Sequence, residues 1–165
     1  MDITIRRVRP DEYAALGTLT AEVYADAGLL AFDEADGYRE QLRDVAGRDA
    51  AAEVLVAVEG ERLLGGVTYV PSAGGPLAEI CRDGEAEIRM LAVGREARGR
   101  GAGEALVRDC ARRARAAGRT ALVLSTQPAM GAAQRLYVRL GFVRAPRRDW
   151  EPLPGLPLLA YALPL

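Results

Sequence analysis

The stretch of this sequence richest in chemistry is Arg98-Gly99-Arg100-Gly101-Ala102-Gly103-Glu104, which follows the apolar run Leu91-Ala92-Val93. Small residues where a strand passes into a helix let backbone N–H groups converge on an anion, and the positive end of the helix dipole adds to the attraction. A pyrophosphate fits such a place. A glycine-rich turn without chemistry is the plain alternative. Three features weigh against it: the turn follows a strand, it opens a long amphipathic helix, and Arg95, Arg98 and Arg100 add positive charge beside it. A Rossmann fingerprint would need a third glycine where Glu104 stands, and a P-loop would need a Gly-Lys-Ser/Thr that this lysine-free chain cannot offer.

Other chemistries are removed by residues the chain lacks. Among its 165 residues there is no histidine, so a Ser-His-Asp triad, a Cys-His dyad and histidine-ligated zinc are excluded. Every basic side chain is arginine, which leaves the N-terminus as the only ordinary amine and rules out a Schiff-base lysine. Cys81 and Cys110 are too far apart for a C-x-x-C pair and read as free thiols, and Cys110 lies on an apolar helix stripe as a small core residue. No metal is expected. The 22 basic and 23 acidic residues give a net charge of −1 without single-sign blocks, which argues against a nucleic-acid or membrane-surface role. The first residues lack a signal peptide's apolar segment, and no apolar run approaches the ~18 residues of a membrane span. The protein is expected to be cytoplasmic.

The elements that must position the glycine turn follow from periodicity. Residues 2–8 alternate as a strand, and Pro10-Asp11-Glu12 opens a helix with Leu16, Leu19 and Val23 on one face. A second helix is expected from about Asp33 to Val45, then a β-hairpin from 54–58 and 63–70. Residues 71–84, rich in Gly and Pro, form a loop. A strand at 86–93, a helix at 101–117, a strand at 121–124 and a helix at 129–140 follow. Gly141 stops that last helix with Phe142 behind it, and Val143 and 158–163 supply the final strands. The order predicts one α/β domain over residues 1–165 with a mixed, largely antiparallel sheet, in place of the strict alternation of a doubly wound fold.

With both the glycine turn and the segment Ala133-Gln134-Arg135-Leu136-Tyr137-Val138-Arg139-Leu140-Gly141-Phe142 in view, the sequence resembles the GNAT superfamily of N-acetyltransferases. Arg98, Gly101 and Gly103 match its Arg/Gln-x-x-Gly-x-Gly/Ala motif, and 133–142 is similar to its A-x-x-L-Y-x-x-L-G-F. The likeness is tight over about residues 85–145. It implies helices on both faces of the sheet and a splayed parallel pair, 88–93 and 121–124, that holds acetyl-CoA. Pantetheine would pair with the backbone of Leu91, Ala92 and Val93, and the amides of Arg98, Gly99, Arg100, Gly101, Ala102, Gly103 and Glu104 would take the pyrophosphate. The resemblance also allows a homodimer.

Acetyl transfer to an amine needs a free lone pair on nitrogen, an oxyanion donor and a proton for the departing thiolate. An amine with a pKa near 10.4 needs a base at neutral pH. Without histidine, a carboxylate acting through water is the natural choice. Glu87 stands six residues before Val93, where several members of the resembled family place their base. By a period of two it would share a face with Leu91, roughly 13 Å away, so a water relay is required. Glu85 and Glu79 are held in reserve, and an exposed strand carboxylate paired with Arg89 or a neighbouring arginine is the plain reading of Glu87. An amide near Leu91 or Ala92, freed by a bulge, would meet the oxyanion. Tyr137 falls on one helix face with Met130, Ala133 and Leu140, which core packing explains. In the family the tyrosine at this place returns a proton to the CoA sulfur. Where the family often has asparagine, this chain has Met130, so any such contact moves to Ser125, Thr126 or Gln127. For the acceptor side, Tyr24, Phe32 and Tyr38 are expected along one wall, and Tyr69, Arg147, Arg148, Asp149 and Trp150 are available for the other. The function implied is direct acetyl transfer from acetyl-CoA to an amine in a ternary complex. A module that binds CoA or acyl-CoA without turnover is the competing reading.

Overall fold

The structure, a computed structural model, describes residues 2–32 and 37–165. Strand β1 (Thr4–Arg7) leads through a 3-10 turn at Pro10–Glu12 into α1 (Tyr13–Asp26). Two short helices, α2 (Tyr38–Arg43) and α3 (Val45–Ala51), stand where one was expected. The break falls at Asp44, whose side chain leaves the helix to accept a hydrogen bond from the Gly47 amide and so caps α3. Residues 33–36 of the expected helix lie outside the described residues. The hairpin β2 (Glu53–Glu59) and β3 (Arg62–Val70), then β4 (Glu85–Val93), α4 (Ala102–Ala116), β5 (Ala121–Thr126) and α5 (Gly131–Arg139) follow the expected order. The chain ends in β6 (Val143–Arg144), β7 (Trp150–Leu153) and β8 (Leu156–Pro164). Strand β7 was not foreseen, because Pro152 interrupts any strand pattern.

The strands form one sheet in the order β1-β2-β3-β4-β5-β8-β6, with β7 paired to β8. Every pairing is antiparallel except β4 with β5, so the sheet is mixed and largely antiparallel. That parallel pair is short. Its register runs from Glu85↔Ala121 to Ile88↔Leu124 and stops, while β4 continues to Val93 and β5 stays paired on its other edge with β8 through Thr126. The far half of β4 therefore shows β5 an edge without a ladder partner.

On one face of the sheet, the α4 stripe Leu106, Val107, Cys110, Ala111 and Ala114 is buried against Ala86, Ile88, Leu122 and Leu124. Helices α1, α2 and α3 cover the other face, where Tyr24, Leu29 and Leu42 pack against Met90 and Ala92. Arg48 of α3 is buried yet meets no carboxylate among the described residues. Its guanidinium donates to Thr68 Oγ1 (2.8 Å) and to the carbonyls of Leu42 (2.6 Å) and Gln41 (3.2 Å), which ties the end of α2 to β3. Burial lowers its pKa. The α1 layer also needs a thin strand beneath it, since a Cβ at Gly66 would meet Leu16 at 2.8 Å.

Strand β4 is not straight. Gly66 pairs with Ala92 and Thr68 with Arg89, so β4 carries one residue more than β3 over this step, and Met90 adopts φ +55°. This is a β-bulge, and left-handed backbone at a methionine is costly, by about 1 kcal/mol or more. Its consequence corrects the face expected from alternation. Met90 and Ala92, not Leu91, lie on the side of α1, and Leu91 and Val93 pack toward the α4 core. Glu87 and Leu91 do not share a face.

Candidate functional site

The glycine turn is built as its sequence requires. Gly99 and Gly101 have φ +78° and +84°, the left-handed region where a side chain is strained, and Gly101 is the residue before α4. The first amides of α4 thus emerge from a turn with no bulk over it; no atom lies within 4 Å of where a Cβ would stand on either glycine. A crevice of about 590 Å3 runs from this turn along the unpaired end of β4 to the start of α5. Leu91, Ala92, Val93, Arg98, Gly99, Gly101, Ala102, Gly103 and Glu104 line it. Arg100 does not, because its guanidinium is drawn to Glu59 on β2 (2.7 Å). Arg95 is likewise engaged by Asp26 (2.8 Å). Of the three arginines expected beside the turn, Arg98 is the one that lines the crevice. Arg139 of α5, which sequence reasoning passed over, lines the opposite wall and bridges to Glu104 (3.1 Å).

A second cavity, of about 270 Å3, abuts the first; Tyr24, Leu29 and Met130 line both. As expected, Tyr24, Phe32 and Tyr38 are on its wall, with the two tyrosine rings edge to face at 6.0 Å. The opposite wall is not the expected set. It comes from the β7–β8 hairpin through Pro152, Leu153, Leu156 and Leu158. Tyr69 is buried in the main core, its pKa pushed up to about 12 by burial. Arg148 is paired with Glu85 (2.7 Å), Asp149 with Arg144 (2.8 Å), and Trp150 donates from Nε1 to Ser125 Oγ (3.3 Å).

Among the described residues, the carboxylate on the cavity wall is Glu79, paired with Arg89 at 3.1 Å. Burial raises its pKa despite that partner. Glu87 lies behind it, fully buried, and does not line the cavity. Its Oε1 accepts from the amides of Glu79 (2.9 Å), Ile80 (3.2 Å) and Cys81 (3.1 Å), so it caps the loop that carries Glu79. Burial outweighs these donors and pushes the Glu87 carboxyl up to about 7. The same loop is held from the other side by Arg148, which donates to the Ile80 carbonyl and to Glu85. Glu87 is thus neither exposed nor paired with Arg89. The loop 79–81 escaped the sequence reading because nothing local marks it: its order comes from a carboxylate distant in sequence.

Tyr137 is buried, with its ring 5.5 Å from Phe142 and 6.2 Å from Tyr161. Burial raises its pKa. Tyr137 itself lines neither cavity; its neighbours Ala133 and Leu136 line the larger crevice, and its hydroxyl makes no hydrogen bond among the described residues. Met130 precedes α5, and its sulfur accepts from Thr126 Oγ1 (3.3 Å). Ser125, Thr126 and Gln127 all line the smaller cavity. Among the described residues there is no metal-binding cluster of His, Cys, Asp and Glu, and no helix long and apolar enough to cross a membrane.

An open mixed sheet whose parallel pair splays beside a glycine turn at a helix N-terminus defines the GNAT acyltransferase fold. Residues 18–142 match the Acetyltransferase (GNAT) family, and the chain belongs to it. No curated protein matches the chain. Among solved structures it is similar to a GNAT-family acetyltransferase from Staphylococcus aureus Mu50 (TM-score 0.77, 14% identity, 99% of each chain covered). It is also similar to PaiA N-acetyltransferase from Thermoplasma acidophilum, solved with coenzyme A (TM-score 0.72, 16% identity, 100% of each chain). A third likeness is to yncA from Salmonella typhimurium, solved with its cofactor acetyl-CoA (TM-score 0.68, 22% identity, 99% of this chain and 94% of that one).

Proposed function

We propose that this protein transfers acetyl from acetyl-CoA directly to an amine, with both substrates bound at once. The observation that carries the reading is the meeting of the two cavities at Tyr24, Leu29 and Met130. One runs from an anion-binding turn along an open strand edge, and the other encloses a carboxylate. Acetyl-CoA fits the first: the Gly99–Gly103 amides would take its pyrophosphate with Arg98 and Arg139 at the rim, and the free edge of β4 at Leu91–Val93 would pair with pantetheine.

In this reading Glu79 takes the proton of the amine. It faces the acceptor cavity, and burial raises its pKa, which makes it a stronger proton acceptor than a solvated carboxylate. Glu87 acts behind it by fixing the 79–81 loop. A second reading, in which Glu87 is itself the base, is favoured by its carboxyl at about 7. The bulge leaves Met90 and Leu91 out of the β3 register, which makes the amides there the candidates to meet a developing oxyanion. Tyr137 supplies the proton to the departing thiolate, its hydroxyl having no protein acceptor among the described residues. No acyl-enzyme is invoked. Cys110 is buried in the α4 core and Cys81 hydrogen-bonds to the Glu85 carbonyl, and neither lines the two cavities.

The test is release of CoA with a broad amine panel and acetyl-CoA, followed with Tyr137→Phe, which should cut kcat at least tenfold and leave KM for acetyl-CoA within about threefold. If no amine turns over while acetyl-CoA still raises the melting temperature, the chain is a binding module, and acetyl transfer is refuted.

A further inference from the structure

The acceptor cavity says more than that an amine enters it. Apart from the Tyr24 hydroxyl, the polar side chains described on its wall are already partnered. Glu79 and Arg89 neutralise one another, and Arg89 also donates to the Leu77 carbonyl (3.2 Å). Ser125 Oγ accepts from Trp150, Thr126 Oγ1 donates to the Met130 sulfur, and Gln127 Nε2 donates to the Leu29 carbonyl (3.4 Å). Gln41 is engaged as well. What the wall offers an incoming molecule is apolar surface: Leu30, Phe32 and Met90 on one side and the leucines of the β7–β8 hairpin on the other. That hairpin closes on the same aromatic, since a Cβ at Gly155 in its turn would meet the Phe32 ring at 3.7 Å.

From this charge balance we infer that the acceptor is a compact primary amine with an apolar body and no second charged group, which rests on the acetyl-transfer reading above. Among the described residues of the wall, the ammonium has one carboxylate to approach, Glu79. A carboxylate on the acceptor would have to break the Arg89–Glu79 pair or be buried without a partner, and a second ammonium would find no second acid on the described wall. A buried charge with no partner is rejected far more strongly than a missing methylene, so the selection is sharp against ionic groups and lenient about the shape of the apolar body. The volume of about 270 Å3 falls just below the range of ordinary ligand pockets, roughly 300–1,000 Å3, which fits a compact molecule better than a peptide chain.

The experiment compares kcat/KM at saturating acetyl-CoA for 2-phenylethylamine, phenylalanine, spermidine and a short peptide beginning with alanine. The expected result is a preference of at least tenfold for 2-phenylethylamine over each of the others. An equal or better rate with phenylalanine, spermidine or the peptide overturns the inference and leaves acetyl transfer to amines standing. Failure of that underlying reading looks different: none of the four releases CoA, although acetyl-CoA raises the melting temperature, and the inference then falls with it. Leu156→Asp adds a carboxylate at the hairpin end of the cavity. In a folded variant, spermidine should gain at least tenfold on 2-phenylethylamine, and an unchanged ratio would refute the charge argument.

Discussion

Replacing Glu87 by glutamine should make this protein more stable at pH 8 than the wild type, and the advantage should disappear in acid. The side chain is fully buried, and burial lifts its carboxyl from 4.5 to about 7. Below about 4.5 the group is protonated whether the chain is folded or not. Between 4.5 and 7 the folded protein keeps a proton that the unfolded chain has lost, so stability falls as pH rises, by about 1.4 kcal/mol per pH unit. Above 7 both states are ionised and the whole penalty, ~3 kcal/mol, is in place. Glutamine titrates nothing and can keep the geometry. Oε1 receives three amides, whereas Oε2 receives one at 3.4 Å, so an amide oxygen can stand in the first place and NH2 in the second. The Tm difference, variant minus wild type, should therefore climb by roughly 6–12 °C between pH 4.5 and 8 for a chain of this size. Thermal melts of both proteins across that range read the difference directly, and groups common to both cancel. Glu79 and Arg89, which also act on Glu87, are present in each protein. A flat difference would refute the burial argument. A difference that falls with pH would show the three amides holding the carboxyl as an anion.

Activity separates the two acids. Glu79→Gln should lower kcat about 100-fold or more and remove the acidic limb of the pH–rate profile, while Glu87→Gln should lower it less than about tenfold and keep that limb; the reverse order would make Glu87 the base. Gly101→Ala places a side chain at φ +84°, costs about 1 kcal/mol in strain, and should raise KM for acetyl-CoA well above any effect of Leu91→Ala, as initial rates at varied acetyl-CoA would show. Cys81, its thiol pushed up to about 11 by burial and by the nearby Glu87 and Glu85, and the more deeply buried Cys110 should resist a thiol reagent at pH 8 in the native protein and both react once it is unfolded.

What could be read from the sequence was what is local. The α4 stripe, the glycine turn before it, the helix stop at Gly141 and the order of strands around them follow from periods and turn chemistry within a few residues, and the structure shows each. The cofactor crevice inherits that legibility because backbone amides at a helix start make it. Arg100 shows the limit: its place in the motif is plain, but its direction is decided by Glu59 on another strand.

The acceptor side was illegible for a physical reason that Glu87 makes concrete. Alternation along β4 gives it a partner face only if the strand is regular, and the bulge at Met90 breaks the count between Glu87 and Leu91. Once that carboxylate is turned into the interior, it must find donors, and the nearest free ones are the amides of a loop that carries no pattern of its own. That loop then delivers Glu79 and, through the pair with Arg89, sets the charge of the described wall of the cavity. A buried acid too costly to leave unsatisfied thus organises a segment in which the sequence alone shows only glycines, prolines and a carboxylate among several.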